Sequence, residues 1–193
     1  MPHSIHNEVK PKTLILASSS PRRQKLIRAF RLPYEIIVSD VDETVSENLA
    51  PAQVVEELSM RKARAVADKI EGRGRRPGIV VGSDTIVVLG GQILGKPKDE
   101  ADAQRTLQAL QGREHLVYSG VACIDLETGS AKASHSVTRV HMAPLSDRQI
   151  RRYIETGEPM DKAGGYDSTM VLNDFVIAVK SFVKQCNQLR KVG

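Results

Sequence analysis

The stretch from Gly78 to Leu89 most constrains the fold of this chain, because two apolar runs enclose a polar tetrapeptide. The first run, Gly78 to Val81, is typical of a buried strand bounded by turn residues. Gly82-Ser83-Asp84-Thr85 follows, and Ile86 to Leu89 is apolar again. An ionised carboxylate inside such a sheet needs a cationic or hydrogen-bonding partner. We therefore expect Asp84 to lie at or near a strand end in a functional site, the alternative being a surface turn that contains an acid.

The size and polarity of the chain are those of an ordinary globular protein. It has 193 residues, of which 40% are apolar and 26% charged. We expect a loose tail over residues 1–12 and a single domain over 13–193. No apolar run approaches the about 18 residues of a membrane helix, and the polar N-terminus lacks a signal-peptide core. The sequence thus predicts a cytoplasmic protein without a membrane partner, and its two cysteines are expected to be free thiols.

Basic residues outnumber acidic ones by 28 to 23, for a net charge of +5. They concentrate in three segments, 22–31, 61–64 and 73–76. Such clusters bind nucleic acid or a polyphosphate, or are only solvated. With four Tyr, three Phe and no Trp, the chain lacks an aromatic platform for stacking single strands. Small anions are therefore favoured over nucleic acid.

Strand and helix signals alternate along the chain. Helices are predicted to start after Ser20, at Pro21, and at Pro51, and Asp99 and Ser146 are expected to cap two more. Gly90-Gly91 predicts a hairpin. The remaining strands are expected at 13–17, 34–39, 116–125 and 134–142, and a last helix is expected to end near Lys191. This order predicts a mixed α/β fold with hairpins and helical crossovers.

The segment Ser18-Ser19-Ser20-Pro21-Arg22-Arg23 places three hydroxyls and two guanidinium groups where a strand turns into a helix. Backbone N–H groups and the helix dipole favour an anion at such a turn. The planar guanidinium group also suits phosphate oxygens. A capped helix with solvent-facing arginines explains the same residues equally well.

Isolated charges elsewhere admit two interpretations each. Lys62 is a lone lysine on a helix, for which a solvated face is the simpler explanation. Lys96 ends a stretch that fits seven positions of a phosphate-binding P-loop, but Pro97 stands where that motif needs a hydroxyl, so we reject the match. Asp42 and Glu43 can hold a divalent cation together with Asp84, or belong to a solvated loop.

One class of ligand accounts for these residues together. Arginines at a helix start, isolated lysines and several carboxylates suit a nucleotide polyphosphate with magnesium or manganese. The sequence has no Ser-His-Asp order and no activated cysteine that would favour covalent chemistry. A carboxylate that activates water for attack at phosphorus, with cations stabilising the developing charge, is the simplest mechanism.

Four spaced motifs resemble those of the Maf proteins: Ser18 to Arg23, Gly82 to Thr85, Gly95-Lys96-Pro97 and Asp161-Lys162-Ala163-Gly164. The resemblance runs in order from about Thr13 to Tyr166. It implies a nucleoside triphosphate pyrophosphatase that needs a divalent metal, Mg or Mn, and releases a monophosphate and pyrophosphate. It also implies a mixed twisted sheet with flanking helices and two lobes around a cleft, similar to the inosine triphosphate pyrophosphatase fold, often in a homodimer.

The resemblance also implies roles for individual residues. Asp84 matches the general base and a metal ligand, and Glu43 matches a metal-associated carboxylate. Arg22 and Thr85 resemble the markers of the branch that acts on dTTP and UTP, whereas the features of the 7-methyl-GTP branch are absent. The matched substrate contacts are Ser18, Arg22, Arg23, Lys62, Thr85, Lys96 and Lys162.

The chain departs from the family pattern after Tyr166. The family usually continues with Gly-Ile-Gln-Gly, whose Gln is a third specificity marker, but Asp167-Ser168-Thr169 follows here. Three explanations stay open for this departure: a real deletion, a divergent tail and an incompletely represented loop. If a stretch is missing, the segment Asn173 to Val176 matches the late strand of the family. We expect a dTTP and UTP pyrophosphatase, the alternative being a regulator of septum formation that holds nucleotide or nucleic acid without hydrolysing it.

Overall fold

A six-stranded mixed sheet forms the centre of the computed structural model, which describes residues 11–46, 48–72, 74, 76–167 and 173–189. The strand order is β2-β1-β3-β5-β6, with β4 paired to β3. The strands are β1 (Leu14–Leu16), β2 (Tyr34–Ile36), β3 (Ile79–Leu89), β4 (Gln92–Leu94), β5 (Glu114–Asp125) and β6 (Ala131–His141). The helices are α1 (Pro21–Arg28), α2 (Pro51–Glu71), α3 (Glu100–Leu110), α4 (Asp147–Ile154) and α5 (Asn173–Leu189). The predicted mixed α/β sheet with flanking helices is confirmed.

Strand β3 runs without interruption through the polar tetrapeptide, so the expectation that Asp84 lies at the end of its own strand was wrong. The strand that ends is β1, whose last residue, Leu16, pairs with Val81. Residues 82–89 of β3 continue past that point, where their partners among the described strands are β5 and β4. Asp84 therefore lies beyond the carboxyl end of β1, the position where ligands bind in open α/β sheets.

The alternation of β3 divides the polar side chains between the two faces of the sheet. Asp84 lies on the face of α2, where it contacts Lys62. Thr85 lies on the opposite face, where it contacts Arg23 of α1. Two helices from opposite faces therefore bring cations to two neighbouring residues of one strand.

The predicted helix starts are found in the structure. Pro21 and Pro51 occupy the first helical turns. Asp99 accepts from the N–H of Asp102 at 2.7 Å, and Ser146 forms a capping box with Gln149. Gly90 and Gly91 adopt positive φ angles between β3 and β4, as the hairpin requires.

The C-terminal segment corrects one prediction, because Asn173 to Val176 begins helix α5 rather than a strand. Phe175, Val179, Phe182 and Cys186 recur every three or four residues and are buried in one cluster with strand residues of β1 and β3. That spacing gives a helix one continuous apolar stripe. The last part of the expected helix, near Lys191, lies outside the described residues.

The N-terminal boundary also differs from the expectation of a loose tail through residue 12. The ammonium group of Lys12 is buried and pairs with Asp125 and Glu127. Residues 1–10 of the expected tail lie outside the described residues. Both cysteines are thiols rather than a disulfide, as predicted, and both are buried. In the part of the chain that the structure describes, no helix is long and apolar enough to cross a bilayer.

Candidate active site

A cleft of about 420 Å³ opens beyond the carboxyl end of β1. One wall is the turn from β1 into α1, and the opposite wall is formed by two 3₁₀ helices, Glu158–Asp161 and Ala163–Gly165, and the two residues after them. The long strands β3 and β5 pass beneath both walls. All nine predicted site residues line this one cavity: Ser18, Arg22, Arg23, Glu43, Lys62, Asp84, Thr85, Lys96 and Lys162.

Lys62 connects the two predicted acids of the site. Its Nζ lies 2.6 Å from Oδ1 of Asp84 and 2.8 Å from Oε1 of Glu43. The side chains of Lys62 and Asp84 are only 12% and 11% exposed, so the alternative of a solvated helix face for Lys62 was wrong. Lys96 approaches the other oxygen of Glu43 at 3.7 Å and is more exposed.

Glu43 is held in its charged form by these lysines. Burial alone would raise its pKa, but the hydrogen bond and charge of Lys62, together with the charge of Lys96, lower the pKa below its usual value. Glu43 therefore carries its negative charge throughout the neutral range and below it.

Arg23 supplies a cation on the other face of β3. Its Nη2 donates to Oγ1 of Thr85 at 2.9 Å, and that oxygen lies 3.4 Å from Oγ of Ser119. Burial lowers the pKa of Arg23, and the nearby Asp84 carboxylate opposes this effect. Because an arginine side chain keeps its proton in proteins, Arg23 is a fixed positive charge at the cleft floor.

The turn before α1 presents backbone donors to the same cavity. The N–H of Ser20 donates to the buried Oγ of Ser18 at 3.2 Å, so Ser18 rather than Ser20 stabilises the turn. Ser20 occupies the N-cap position but its side chain makes no capping bond. Helix geometry leaves the N–H groups of Arg22 and Arg23 without intrahelical acceptors. This arrangement suits an anion.

The opposite wall carries its own charges. The Nζ of Lys162 lies 2.8 Å from Oδ1 of Asp161 and 2.7 Å from the carbonyl oxygen of Glu158. Asp167 forms an ion pair with Arg22 across the cleft. No sequence motif predicted a role for Asp161, Glu158 or Asp167.

Two further residues, Ser119 and Tyr166, line the cleft without having been predicted from a motif. Ser119 is brought into the cleft by its register opposite Thr85. Tyr166 follows a recognised motif, and its hydroxyl lies 2.5 Å from Nε2 of His115, with the rings in an edge-to-face arrangement. Burial lowers the pKa of His115 and raises that of Tyr166 to about 12, so the hydrogen bond joins a neutral imidazole and a neutral phenol.

Asp42, the remaining candidate for a cation site, is turned away from the cleft. Its carboxylate accepts from the N–H of Thr44 at 2.8 Å, and its carbonyl oxygen accepts from Arg61. Within the described ranges, no three His, Cys, Asp or Glu side chains are close enough together to hold a metal by themselves. Asp84 and Glu43 remain as two carboxylates of one cavity. That number fits Mg²⁺, which binds one or two carboxylates and completes its shell with substrate phosphates and water.

A second cavity, of about 300 Å³, lies between β5, β6 and α5. It shares Ser119 with the cleft but contains none of the nine predicted site residues. Its lining is mainly serine hydroxyls and apolar side chains, with Lys132 as its one lysine among the described residues. The charges suited to a polyphosphate are therefore in the cleft.

Comparison with known proteins agrees with this geometry. Residues 13–182 match the family described as Maf-like protein. The chain is 47% identical over 169 residues to the dTTP/UTP pyrophosphatase of Desulforamulus reducens, covering 88% of this chain and 86% of that protein. The dTTP/UTP pyrophosphatases of Pelotomaculum thermopropionicum and Ruminiclostridium cellulolyticum are 46% and 44% identical, covering 80% and 88% of this chain and 78% and 86% of theirs.

Among solved structures, the Staphylococcus aureus Ham1 protein has a TM-score of 0.48 at 18% identity, covering 70% of this chain and 73% of its own. A nucleoside-triphosphatase, dITP/XTP pyrophosphatase, from Mycobacterium abscessus has a TM-score of 0.40 at 14% identity, covering 92% and 97%. These values are too low to carry an argument, so the fold class rests on the sheet itself. The match over residues 13–182 and the identity to three curated relatives establish that the chain belongs to the Maf-like protein family.

Proposed function

We propose that this chain is a nucleoside triphosphate pyrophosphatase that hydrolyses dTTP and UTP to the monophosphate and pyrophosphate. The observation that carries the proposal is the position of Asp84, a carboxylate in a cleft that also contains Lys62, Arg23 and Lys96. The names of the curated relatives support both the reaction and the two nucleotides.

In this mechanism Asp84 is the general base. It accepts a proton from a water molecule whose oxygen attacks phosphorus, the bond between the α and β phosphates breaks, and pyrophosphate leaves. Lys62 donates to Asp84 and so fixes the direction of the carboxylate. A positioned base of this kind contributes about 10²- to 10⁴-fold to the rate.

The cations of the cleft bind the triphosphate and stabilise the charge that develops during the reaction. Arg23 is fixed by Thr85 at the floor, Arg22 and the turn at Ser18 form one wall, and Lys162 lies in the other. Among the cleft cations that form an ion pair with a carboxylate, Lys96 has the most exposed side chain. This exposure leaves it free to reorient toward the substrate.

Asp84 and Glu43 are the residues that would hold a divalent metal, Mg or Mn. When bound, the metal supplies Lewis-acid stabilisation of phosphoryl oxygens. Because the two carboxylates contact Lys62, this lysine keeps their charges compensated and their oxygens close together when the metal is absent.

The preference for dTTP and UTP is supported by the relatives' names and by the positions of Arg22 and Thr85, which match the markers of that branch. Both residues line the cleft. The Maf resemblance also supports a homodimer, which sedimentation of the purified chain tests. The composition and the polar N-terminus support a cytoplasmic protein with no membrane or nucleic-acid partner.

A panel of nucleotides tests the proposed reaction. Purified protein is incubated with dTTP, UTP, CTP, ATP and GTP in Mg²⁺ or Mn²⁺, and pyrophosphate and orthophosphate are measured separately. We expect pyrophosphate from dTTP and UTP at the highest kcat/KM, and no turnover in a chelator until metal is restored. Orthophosphate as the first product would contradict the proposal. Nucleotide or DNA binding without any product would favour the non-hydrolysing regulator instead.

A further inference from the structure

Arg22 and Asp167 form an ion pair that joins the two walls of the cleft. Arg22 lies in the first turn of α1, and Asp167 follows the second 3₁₀ helix, 145 residues further along the chain. Both side chains line the cavity, and they are 31% and 35% exposed. The contact is thus at the mouth of the cleft, where solvent reaches both groups.

The two neighbouring arginines differ in what they contact. Arg23 donates to the neutral hydroxyl of Thr85. Within the described residues, the nearby Asp84 carboxylate acts on the guanidinium group through its charge but forms no ion pair with it, so an anion can bind Arg23 without displacing a carboxylate. Arg22 contacts a carboxylate of the same cavity, so its charge is already compensated. A phosphate that binds Arg22 must therefore take the place of a carboxylate, whereas one that binds Arg23 need not.

We propose that Asp167 sets the affinity of the cleft for polyphosphate by occupying Arg22 until the ligand displaces it. The inference rests on the proposed function only in taking a polyphosphate as the ligand. Because the pair is partly exposed, the released carboxylate is solvated readily, and its displacement costs little. Asp167 is a residue that tunes affinity through Arg22, and it takes no part in the bond that breaks.

Binding of inorganic tripolyphosphate, measured by titration calorimetry at low salt, tests this proposal without any turnover. We expect Asp167→Asn to bind about two- to fivefold more tightly than the wild type, the range set by a partly exposed ion pair. Asp167→Glu keeps the charge and is expected to bind as the wild type does. The KM for dTTP is expected to fall by the same factor in Asp167→Asn.

A double-mutant cycle separates displacement from a general change in charge. In an Arg22→Ala background, Asp167→Asn is expected to have no effect on tripolyphosphate affinity, since no guanidinium group is left to release. Glu114→Gln is the matched control, because it removes the same charge from an ion pair with Arg139 outside the cleft. That control is expected to bind as the wild type does.

Two results would overturn the inference. One is that Asp167→Asn raises the affinity for tripolyphosphate equally with and without Arg22. The other is that Asp167→Asn leaves this affinity unchanged while Arg22→Ala lowers it. A protein that shows the predicted cycle with tripolyphosphate but releases no pyrophosphate from nucleotides would confirm this inference and contradict the proposed function. The two proposals therefore fail separately.

Discussion

Lys62 is the residue on which the electrostatics of the site depend most. It contacts Asp84 and Glu43 with a single ammonium group and is almost completely shielded from solvent. Without Lys62, the shielded Asp84 and the half-exposed Glu43 repel each other and lose their common hydrogen-bond donor. Lys62 therefore compensates the charge of Glu43, lowers the pKa of that carboxyl and fixes the direction of the Asp84 carboxylate.

Replacing Lys62 with Met is expected to lower kcat/KM and to move the acidic limb of its pH profile to higher pH. Lys62 opposes the effect of burial on Glu43, so its removal lets burial raise the pKa of that carboxyl. Activity that needs the ionised form is then lost at a higher pH as the solution is acidified. The measurement is kcat/KM for dTTP between about pH 5 and 8.

Lys62→Arg is the control for this prediction, because it retains the positive charge while changing the donor geometry. We expect the acidic limb of its kcat/KM profile to stay near the pH of the wild-type limb, and the maximum value of kcat/KM to be lower. An unshifted acidic limb in Lys62→Met would show that the lysine does not govern the ionisation of the site.

Among the elements, the contact between α2 and the sheet is what places Lys62 over Asp84. Gly82 and Gly120 face α2 from adjacent strands, β3 and β5. A Cβ atom added at Gly120 would lie 2.5 Å from the carbonyl carbon of Val55 and 2.7 Å from Oγ of Ser59. The backbone of α2 thus approaches the sheet closely only because these strand positions have no side chain.

Gly120→Ala is expected to destabilise the protein by about 1–3 kcal/mol, the usual cost of an overpacked core. It should also lower kcat, because α2 has to move and carries Lys62 with it. Urea unfolding and dTTP kinetics measure the two effects. Gly95→Ala is the matched control, since a Cβ atom there meets nothing within 4 Å. Equal stability of the two variants would contradict the close approach of α2.

Several elements could be predicted from local chemistry alone. Pro21, Pro51, Asp99 and the pair Ser146 and Gln149 each act within one helical turn, so the sequence carries the full signal. Two predictions failed where the signal was not local. The continuity of β3 through Asp84 depends on β5 as its partner, and the expected strand at Asn173 rested on a family pattern rather than on the helical spacing of Phe175 and Val179.

The sequence was sufficient to predict which residues form the site, but not which of them contact each other. The four motifs supplied seven of the nine cleft residues, because each motif contributes a charge or hydroxyl suited to phosphate, and the other two, Glu43 and Lys62, lie outside those motifs. The contact of Arg22 with Asp167 and the approach of Ser119 to Thr85 join residues distant in the sequence. Such contacts depend on strand register and on the path of the chain, which no local pattern specifies.

For the molecule as a whole, a buried ion pair ties the N-terminal segment to the far end of β5. The side chains of Lys12 and Asp125 are 2% and 1% exposed. Burial alone would raise the pKa of Asp125, but the hydrogen bond from Lys12 and the N–H of Glu127 lower it. This carboxyl therefore stabilises the fold above the pKa of an unfolded aspartate, about 3.9, and that contribution is lost as the pH falls through its folded value.

Lys12→Met is expected to reduce the free energy of unfolding by about 3–5 kcal/mol at pH 7, because it leaves a buried charge without its cation. Without the lysine, burial dominates and raises the pKa of Asp125. As the pH falls, this carboxyl becomes protonated, and the free-energy cost of a buried unpaired charge disappears. The difference in the free energy of unfolding between the variant and the wild type should therefore decrease toward about pH 4. Urea unfolding at pH 7, 5.5 and 4 measures it, with exposed Lys132→Met as the control. A difference that stays constant with pH would contradict this account.

The central claim, that Asp84 activates water beside a bound triphosphate, is tested most directly by Asp84→Asn. The amide keeps the shape of the side chain but accepts no proton, so we expect kcat for pyrophosphate release from dTTP to fall by at least about 10²-fold. Tripolyphosphate binding, measured on the same preparation, should stay within a few-fold of the wild type. A variant that releases pyrophosphate at the wild-type rate would contradict the claim.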